Sequence, residues 1–379
     1  MVLLGSVSFF VFGVLLVLLG ASQAELARAF ALDLSQSGFL GAVLALGLGG
    51  GVLLGGPIAD RFSHRPLFVV SSLIAGAGLL SASESAGYYG LVALLLSIGI
   101  GCGLYETAIN LSVVKSDTGR SAAALALVHS AATLGACIGP LIIRWVLARG
   151  HWTDAFHLLG SLHCALAGWG LFGKGFVTRS KTTVAVQPSA ARVITPPLLA
   201  LCVVAYAYVG IESALTVFAL PWSQSLAEPE SAGQWSISSL WTGLLLGRLA
   251  LAARPVQRGA RLLAAAGCVS TLILAVSSEL ALRPLTLVMG LTGAVLGPVY
   301  PLLIVIVAGR FPAQSGTAVG LVAAAGATGG FVVPWLTGAL GDAFGVQHAM
   351  ALLSAHGLAL SAAALALLRR DKRGPVTAV

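Results

Sequence analysis

The chain has 379 residues, of which 58% are hydrophobic and only 9% are charged. A soluble domain carries roughly 25% charged residues, so a chain this apolar could not cover its surface with polar groups. The net charge of +8 does not indicate nucleic-acid binding, because the basic residues lie in short connections between long apolar stretches. These features predict an integral membrane protein.

Twelve apolar stretches are long enough to cross a bilayer, which takes roughly 20 residues for a helix. They cover residues 3–30, 35–58, 67–83, 88–114, 121–148, 155–173, 196–224, 233–253, 260–278, 285–308, 315–340 and 347–368. Almost no sequence is left for a domain outside the membrane. We therefore expect an all-α integral membrane protein with 12 transmembrane helices.

The polar residues form no catalytic or metal-binding pattern. The five cysteines lie inside apolar stretches without CxxC spacing, which is typical of packing residues. The sequence contains no phosphate-binding glycine loop and no nucleophile elbow. We expect neither an enzyme nor a metal or cofactor site, and an ion gradient rather than ATP as the energy source.

The sequence indicates two copies of a unit of six spans. The longest polar stretch between spans, 174–195, divides it in two. Residues of the fourth and fifth spans recur 194 positions later: Gly99 as Gly293, Gly103 as Gly297, Leu127–Val128 as Leu321–Val322, Gly135 as Gly329 and Pro140 as Pro334. We predict an N-terminal bundle (1–173), a cytoplasmic linker (174–195) and a pseudo-symmetric C-terminal bundle (196–379). Parallel repeats of this kind place a substrate site at the midplane between the halves.

The charge distribution predicts that both termini are cytoplasmic. Of 21 Lys and Arg residues, all but Arg28, Arg144, Arg149 and Arg283 fall at the ends that would then face the cytoplasm. Cytoplasmic loops carry this excess in membrane proteins. We expect a multi-pass protein of the bacterial inner (plasma) membrane that is embedded in lipid as a monomer.

The loop after the second span contains Gly56, Asp60, Arg61 and Arg65 in the order Gly-x-x-x-Asp-Arg-x-x-x-Arg. This resembles the loop motif of the major facilitator superfamily. A carboxylate at a helix end can face the positive N-terminus of a neighbouring helix. By resemblance, that neighbour is the eleventh span, near Ser315, and the motif forms a cytoplasmic gate.

A second basic residue belongs to the same prediction. Gly247-Arg248, at the inner end of the eighth span, resembles a weaker counterpart of the loop motif. The gating candidates are therefore Asp60, Arg61, Arg65 and Arg248. The alternative is that these charges only anchor the loop at lipid headgroups.

Four further segments resemble the fucose-permease-like branch of that superfamily, which contains sugar:proton symporters. They are Gly99–Asn110, Tyr208–Glu212, Pro298–Pro301 and Gly316–Asp342. This resemblance implies a small solute and protons as ligands, and alternating access as the mechanism.

One position departs from the branch. Its sugar permeases carry an acidic residue in the first span that takes part in proton coupling, and the corresponding position here is Gly20. The nearest carboxylate, Glu25, lies more than one turn further out. Either Glu25 substitutes for it, or the proton site has moved to Glu106 or Glu212.

Several polar residues inside the spans are candidates for binding solute or protons. Glu106 and Asn110 are four residues apart, so they share one helix face. A central acidic residue costs roughly 2.5–3.5 kcal/mol to insert unless it faces a cavity or a partner. The same reasoning applies to Glu212, and the structural alternative is an interhelical hydrogen bond. The complete set is Glu106, Asn110, Glu212, His129, Tyr300 and Gln23, with simple packing as an equal alternative for His129.

Two functions compete on this evidence. The first is a proton-coupled importer of a sugar or a similar polar solute. The second is a proton-coupled exporter of drugs or metabolites, because Gly135, Gly139 and Pro140 partly resemble an antiporter signature and the expected cavity is poor in Asn, Gln and Trp. A channel or sensor would leave the two-half organisation unexplained.

Overall fold

The computed structural model describes residues 1–83, 87–116, 121–172, 194–229, 231–253 and 258–371, and their regular structure is helical throughout. The helices are α1 Val2–Leu16, α2 Leu18–Ala21, α3 Gln23–Phe30, α4 Leu34–Arg61, α5 His64–Leu80, α6 Gly87–Ser116, α7 Ser121–Leu147, α8 Trp152–Phe172, α9 Pro196–Ser225, α10 Ala232–Ala252, α11 Gly259–Glu279, α12 Leu285–Leu296, α13 Val299–Arg310, α14 Ser315–Phe344, α15 Val346–Leu352 and α16 Ser354–Asp371.

These helices form twelve rods, in agreement with the twelve predicted spans. Helices α1 to α3 follow one another as one rod, as do α12 with α13 and α15 with α16. Within the described residues, nine rods are long and apolar enough to cross a membrane, and α1 and α5 are shorter apolar helices. The predicted linker, 174–195, lies almost entirely outside the described residues.

Close glycine contacts repeat between α1–α8, the N-terminal half, and α9–α16, the C-terminal half. In each contact an added Cβ would lie 2.1 to 2.4 Å from a carbonyl oxygen of a neighbouring helix. The matched contacts are Gly47 on Leu96 and Gly243 on Gly290, Gly51 on Ile100 and Gly247 on Ala294, Gly103 on Leu48 and Gly297 on Leu244, and Gly135 on Phe10 and Gly329 on Tyr206. Small residues let helix backbones approach closely in membranes. The predicted duplication is therefore confirmed in the helix packing.

The matched contacts also give the register of the repeat. Helices α6 and α7 correspond to α12 and α14 at the predicted offset of 194, as with Gly135 and Gly329. Helices α1 and α4 correspond to α9 and α10 at an offset of 196, as with Gly47 and Gly243. The offset that relates α1 and α4 to their counterparts is therefore two residues larger than the offset that relates α6 and α7 to theirs.

We expect Gly329→Ala to destabilise the protein, because its Cβ would lie 2.1 Å from the Tyr206 carbonyl oxygen. Overpacking a tight contact costs about 1–3 kcal/mol. The matched control is Gly320→Ala in the same helix, where a Cβ meets no atom within 4 Å and alanine is the better helix former. Thermal unfolding of the purified protein should give a lower midpoint for Gly329→Ala only. Equal midpoints would contradict the described packing of α14 on α9.

The two halves contact each other closely at one end of the bundle. We call this the Leu34 end, where α4 begins and α14 ends, and the opposite end, where α8 ends and α9 begins, the linker end. At the Leu34 end an added Cβ on Gly338 would lie 2.2 Å from the Leu34 carbonyl oxygen, and one on Gly38 would lie 2.4 Å from that of Pro334. Toward the linker end, a Cβ on Gly320 meets nothing within 4 Å. The interface between α4 and α14 is thus tight at the Leu34 end.

Candidate functional site

A chain of hydrogen bonds joins the two halves near the middle of the bundle. Arg248 of α10 donates from Nη1 to the Thr133 hydroxyl of α7 (2.8 Å) and from Nη2 to the Tyr208 hydroxyl of α9 (3.2 Å). The Tyr208 hydroxyl in turn donates to the Glu212 carboxylate, one helical turn further along α9. Thr133 belongs to the N-terminal half and the other three residues to the C-terminal half. This chain of hydrogen bonds therefore crosses the interface between the halves.

Tyr300 lies beside this chain of hydrogen bonds, and Glu106 lies near Tyr300. The Tyr300 ring stacks on the Tyr208 ring, with centroids 5.9 Å apart and planes at 29°. Tyr300 also interacts electrostatically with Glu106, Glu212 and Arg248. Tyr300 follows Pro298, where the rod formed by α12 and α13 is interrupted. The predicted residues Glu106, Glu212 and Tyr300 are thus brought to one site, which is built from both halves.

Glu106 differs from Glu212 in its partners. Within the described part of the chain, no hydrogen bond or ion pair involves Glu106, which is half-buried. Glu212 accepts the Tyr208 hydrogen bond and interacts electrostatically with Arg248. Asn110, one turn from Glu106, has a buried Oδ1 atom without a hydrogen-bond partner. The face of α6 that carries Glu106 and Asn110 therefore keeps uncommitted polar groups.

His129 and Gln23 have different surroundings. The His129 ring is exposed and meets Phe9 edge to face at 4.9 Å between centroids, and His129 interacts electrostatically with Arg248. Gln23 is buried and donates to the Ser37 hydroxyl at 3.3 Å. His129 therefore borders the central site. The contacts of Gln23 tie α3 to α4 instead, and its binding role stays a prediction.

The sequence profile of the Major Facilitator Superfamily matches residues 1–290. The chain belongs to the major facilitator superfamily. Its 12-helix, two-half architecture is the fold of that superfamily, and the crystal structure of the nucleoside transporter NupG superposes with a TM-score of 0.77 at 13% identity, over 97% of this chain and 98% of the other. At that identity the likeness concerns the fold.

Two curated relatives are transporters of the same superfamily. The probable sulfoacetate transporter SauU of Cupriavidus necator is 30% identical over 141 residues, which are 37% of this chain and 32% of the relative. The 4-hydroxybenzoate transporter PcaK of Acinetobacter baylyi is 30% identical over 155 residues, 40% of this chain and 33% of the relative. The match thus spans about a third of each relative.

The position that carries an acid in the first span of the fucose-permease-like branch has no room for a side chain here. An added Cβ on Gly20 would lie 2.1 Å from the Thr216 carbonyl oxygen of α9, across the interface between the halves. Glu25, the nearest carboxylate, is paired with Arg28 at 3.2 Å near the Leu34 end. These contacts leave Glu106 and Glu212 as the carboxyl groups next to the central site.

The gating candidates divide into two groups. Arg61 and Arg65 are exposed at the linker end, on either side of the α4–α5 turn, while the Asp60 side chain lies outside the described part of the structure. Arg248 does not lie with them. The repeat register places Gly247 opposite Gly51, so Arg248 is no counterpart of the loop motif but a member of the central site. A gating role for Asp60, Arg61, Arg65 and Arg248 stays a prediction.

Sequence reasoning missed the contact that joins α14 to α4 of this major facilitator. The Asp342 carboxylate accepts hydrogen bonds from the backbone nitrogens of Leu34 (2.9 Å) and Ser35 (2.7 Å). The first N–H groups of a helix have no partner inside it and attract negative charge. Asp33 already caps the same helix through Gln36 N at 2.6 Å. Asp342 therefore adds hydrogen bonds between the halves. The only feature of the sequence that marks this residue is its position as an acidic residue at the end of an apolar span.

Proposed function

We propose that this major facilitator is a proton-coupled transporter that takes up a small organic solute by alternating access. The observation that carries the proposal is the position of Glu106. Its carboxyl group interacts electrostatically with Tyr300 and has no hydrogen-bond or ion-pair partner among the described residues. A carboxyl group free of a structural partner can take up and release a proton during the transport cycle, whereas a paired one such as Glu25 is held by its arginine.

The contacts between the halves support the alternating part of the proposal. The halves meet through Asp342 and tight glycine contacts at the Leu34 end, and through Arg248 and Thr133 near the middle. All three kinds of contact can break without disturbing the packing inside either half. Solute bound beside Arg248 is therefore positioned where the opening of either end would expose it.

The solute itself is proposed at the level of its size and polarity. The fucose-permease-like resemblance favours a sugar or a similar polar solute. The relatives named for sulfoacetate and 4-hydroxybenzoate favour a small organic molecule in general. Both fit a central site that contains an arginine, two carboxyl groups and hydroxyl groups.

Proton-driven export is the second candidate. Gly135, Gly139 and Pro140 resemble part of an antiporter signature, which is the observation in its favour. In the structure, added Cβ atoms on Gly135 and Gly139 would meet Phe10 and Val14 of α1. These glycines are therefore accounted for by packing inside the N-terminal half, and import is the better supported direction.

Uptake into proteoliposomes tests the proposal. Purified protein is reconstituted, and labelled sugars and organic acids are offered under an imposed pH gradient, acidic outside. We expect at least one solute to accumulate above its external concentration, and to stop accumulating when a protonophore collapses the gradient. Export coupled to proton entry would instead deplete preloaded solute under the same gradient, and accumulation insensitive to the protonophore would exclude proton coupling.

The membrane orientation remains part of the proposal, with both termini in the cytoplasm. Helix α11 allows a matched test, because Arg258 and Glu279 are exposed at its two ends. In a variant lacking the five free cysteines, we expect Glu279→Cys but not Arg258→Cys to react with an impermeant thiol reagent in intact cells. The reverse pattern would show that the chain is inserted the other way round.

A further inference from the structure

The guanidinium group of Arg248 is a cation that the protein does not neutralise directly. Among the described residues, no ion pair closer than 4.0 Å involves Arg248, so no carboxylate of that part of the chain touches it. The hydrogen bonds of Arg248 go to two hydroxyl groups, and its buried Nε atom has no partner. A guanidinium has five N–H donors, so about three remain without a protein acceptor.

The groups around Arg248 suit a negative ligand. Thr133 and Tyr208 accept hydrogen bonds from the guanidinium group and thereby fix the orientation of its plane. His129 adds an imidazole ring that can hydrogen-bond a ligand, and it interacts electrostatically with Arg248. The guanidinium fork matches the oxygens of a carboxylate, sulfonate or phosphate in a bidentate manner. The arginine is therefore presented as an anion-binding group.

Aromatic rings flank this group. Tyr208 and Tyr300 stack on one another, and the Phe9 and His129 rings meet edge to face. Aromatic side chains provide apolar surface with a polar edge. A ligand held by Arg248 would therefore have a compact organic body against the less buried rings of Tyr300 and His129.

We propose that the central site binds a small organic anion, with its carboxylate or sulfonate on the Arg248 guanidinium. This inference rests on the proposed function, because it assigns the solute class of the same site. Glu212 interacts electrostatically with Arg248 and Glu106 with Tyr300, so a bound anion would leave the site with excess negative charge if both carboxyl groups were ionised. Uptake of one proton by the uncommitted Glu106 carboxylate, which becomes a neutral carboxyl group, balances the charge of the anion. The anion and the proton therefore enter together.

Binding to the purified protein tests the solute class without requiring transport. The probes share one body and differ in charge: benzoate and benzenesulfonate are anions, benzamide is neutral and benzamidine is a cation, with glucose as a neutral sugar. We expect the anions to raise the thermal unfolding midpoint and to bind at least tenfold more tightly than benzamide, benzamidine or glucose. Preference for benzamidine or glucose, or binding of none of the five, would overturn the assignment.

Variants of Arg248 make the test specific. Arg248→Gln should lower the affinity for the anions by tenfold or more. Arg248→Lys should retain part of that affinity, because the positive charge remains while the paired N–H donors of the guanidinium are lost. Arg144→Gln, which removes an exposed arginine of α7, should bind like the wild type and controls for loss of charge.

If Arg248→Gln does not fold, Arg248→Lys and Thr133→Val still report on the site through weaker anion binding. Undiminished anion binding by folded Arg248→Gln would overturn the proposal. Anion binding without proton movement would contradict the proposed proton coupling and support the solute class. Proton-coupled uptake of glucose would support the coupling and contradict the anionic solute class.

Discussion

Glu106→Gln is expected to abolish pH-driven accumulation while solute exchange across the membrane continues. Glutamine keeps the size of the side chain and its hydrogen-bonding capacity but cannot take up a proton. A pH gradient of one unit supports up to about tenfold accumulation for each proton moved with the solute, since a tenfold ratio corresponds to about 1.4 kcal/mol. In the variant this ratio should fall to about one. Counterflow of labelled against unlabelled solute measures the exchange that remains.

Two substitutions of the same kind serve as controls for Glu106→Gln. Glu25→Gln alters a carboxylate that is paired with Arg28 near the Leu34 end, and it should accumulate solute like the wild type. Glu212→Gln should have a milder coupling defect than Glu106→Gln, because the Glu212 carboxylate is already engaged by Tyr208. Full accumulation by Glu106→Gln would place the proton on another group, with Glu212 as the next candidate.

Asp342→Ala is expected to shift the protein toward a state that is open at the Leu34 end. The substitution removes two hydrogen bonds from the first backbone nitrogens of α4 and leaves the packing within each half intact. Loss of a helix-capping carboxylate typically costs about 1 kcal/mol, and Asp342 is exposed. We therefore expect a shift of roughly fivefold in the population ratio of the two states.

Thiol accessibility measures this shift. Ala21 is fully buried, and its carbonyl oxygen accepts a hydrogen bond from Gln234 Nε2 across the interface at 3.3 Å. A cysteine at position 21, in a variant lacking the native cysteines, should react several-fold faster when Asp342 is alanine. Asp33→Ala is the matched control, because it removes a cap of the same helix from within the N-terminal half. Equal acceleration by both substitutions would show that fraying of α4, not separation of the halves, exposes the site.

Much of the fold could be predicted from the sequence because each transmembrane helix has to be apolar and to satisfy its own backbone hydrogen bonds inside the bilayer. A run of apolar residues is sufficient to place a transmembrane helix, so the predicted ranges agree with the rods to within a few residues. The repeat was visible in α7 and α14 because Gly135 and Gly329 are constrained by the same close contact. The register of α4 and α10, which differs from that of α7 and α14 by two residues, was missed. In that register Arg248 corresponds to Val52 and not to a residue of the loop motif.

The site was predicted only in part, for a physical reason. An acidic residue inside an apolar span is conspicuous, so Glu106 and Glu212 could be selected by the cost of burying them. The partners of those residues depend on how separate helices face each other. Nothing in the spacing of α7 and α10 shows that Thr133 lies within 2.8 Å of Arg248. Asp342 likewise bonds to a helix more than 300 residues earlier in the chain.

The most direct test of the account measures protons and solute together. Proteoliposomes containing an internal pH dye are clamped at zero membrane potential, with equal pH on both sides, and the best-binding solute is added outside. Inward movement of solute with its proton should acidify the interior, and Glu106→Gln should show no pH change while it still exchanges solute. Solute entry by the wild-type protein without any change of internal pH would contradict proton coupling through the central site.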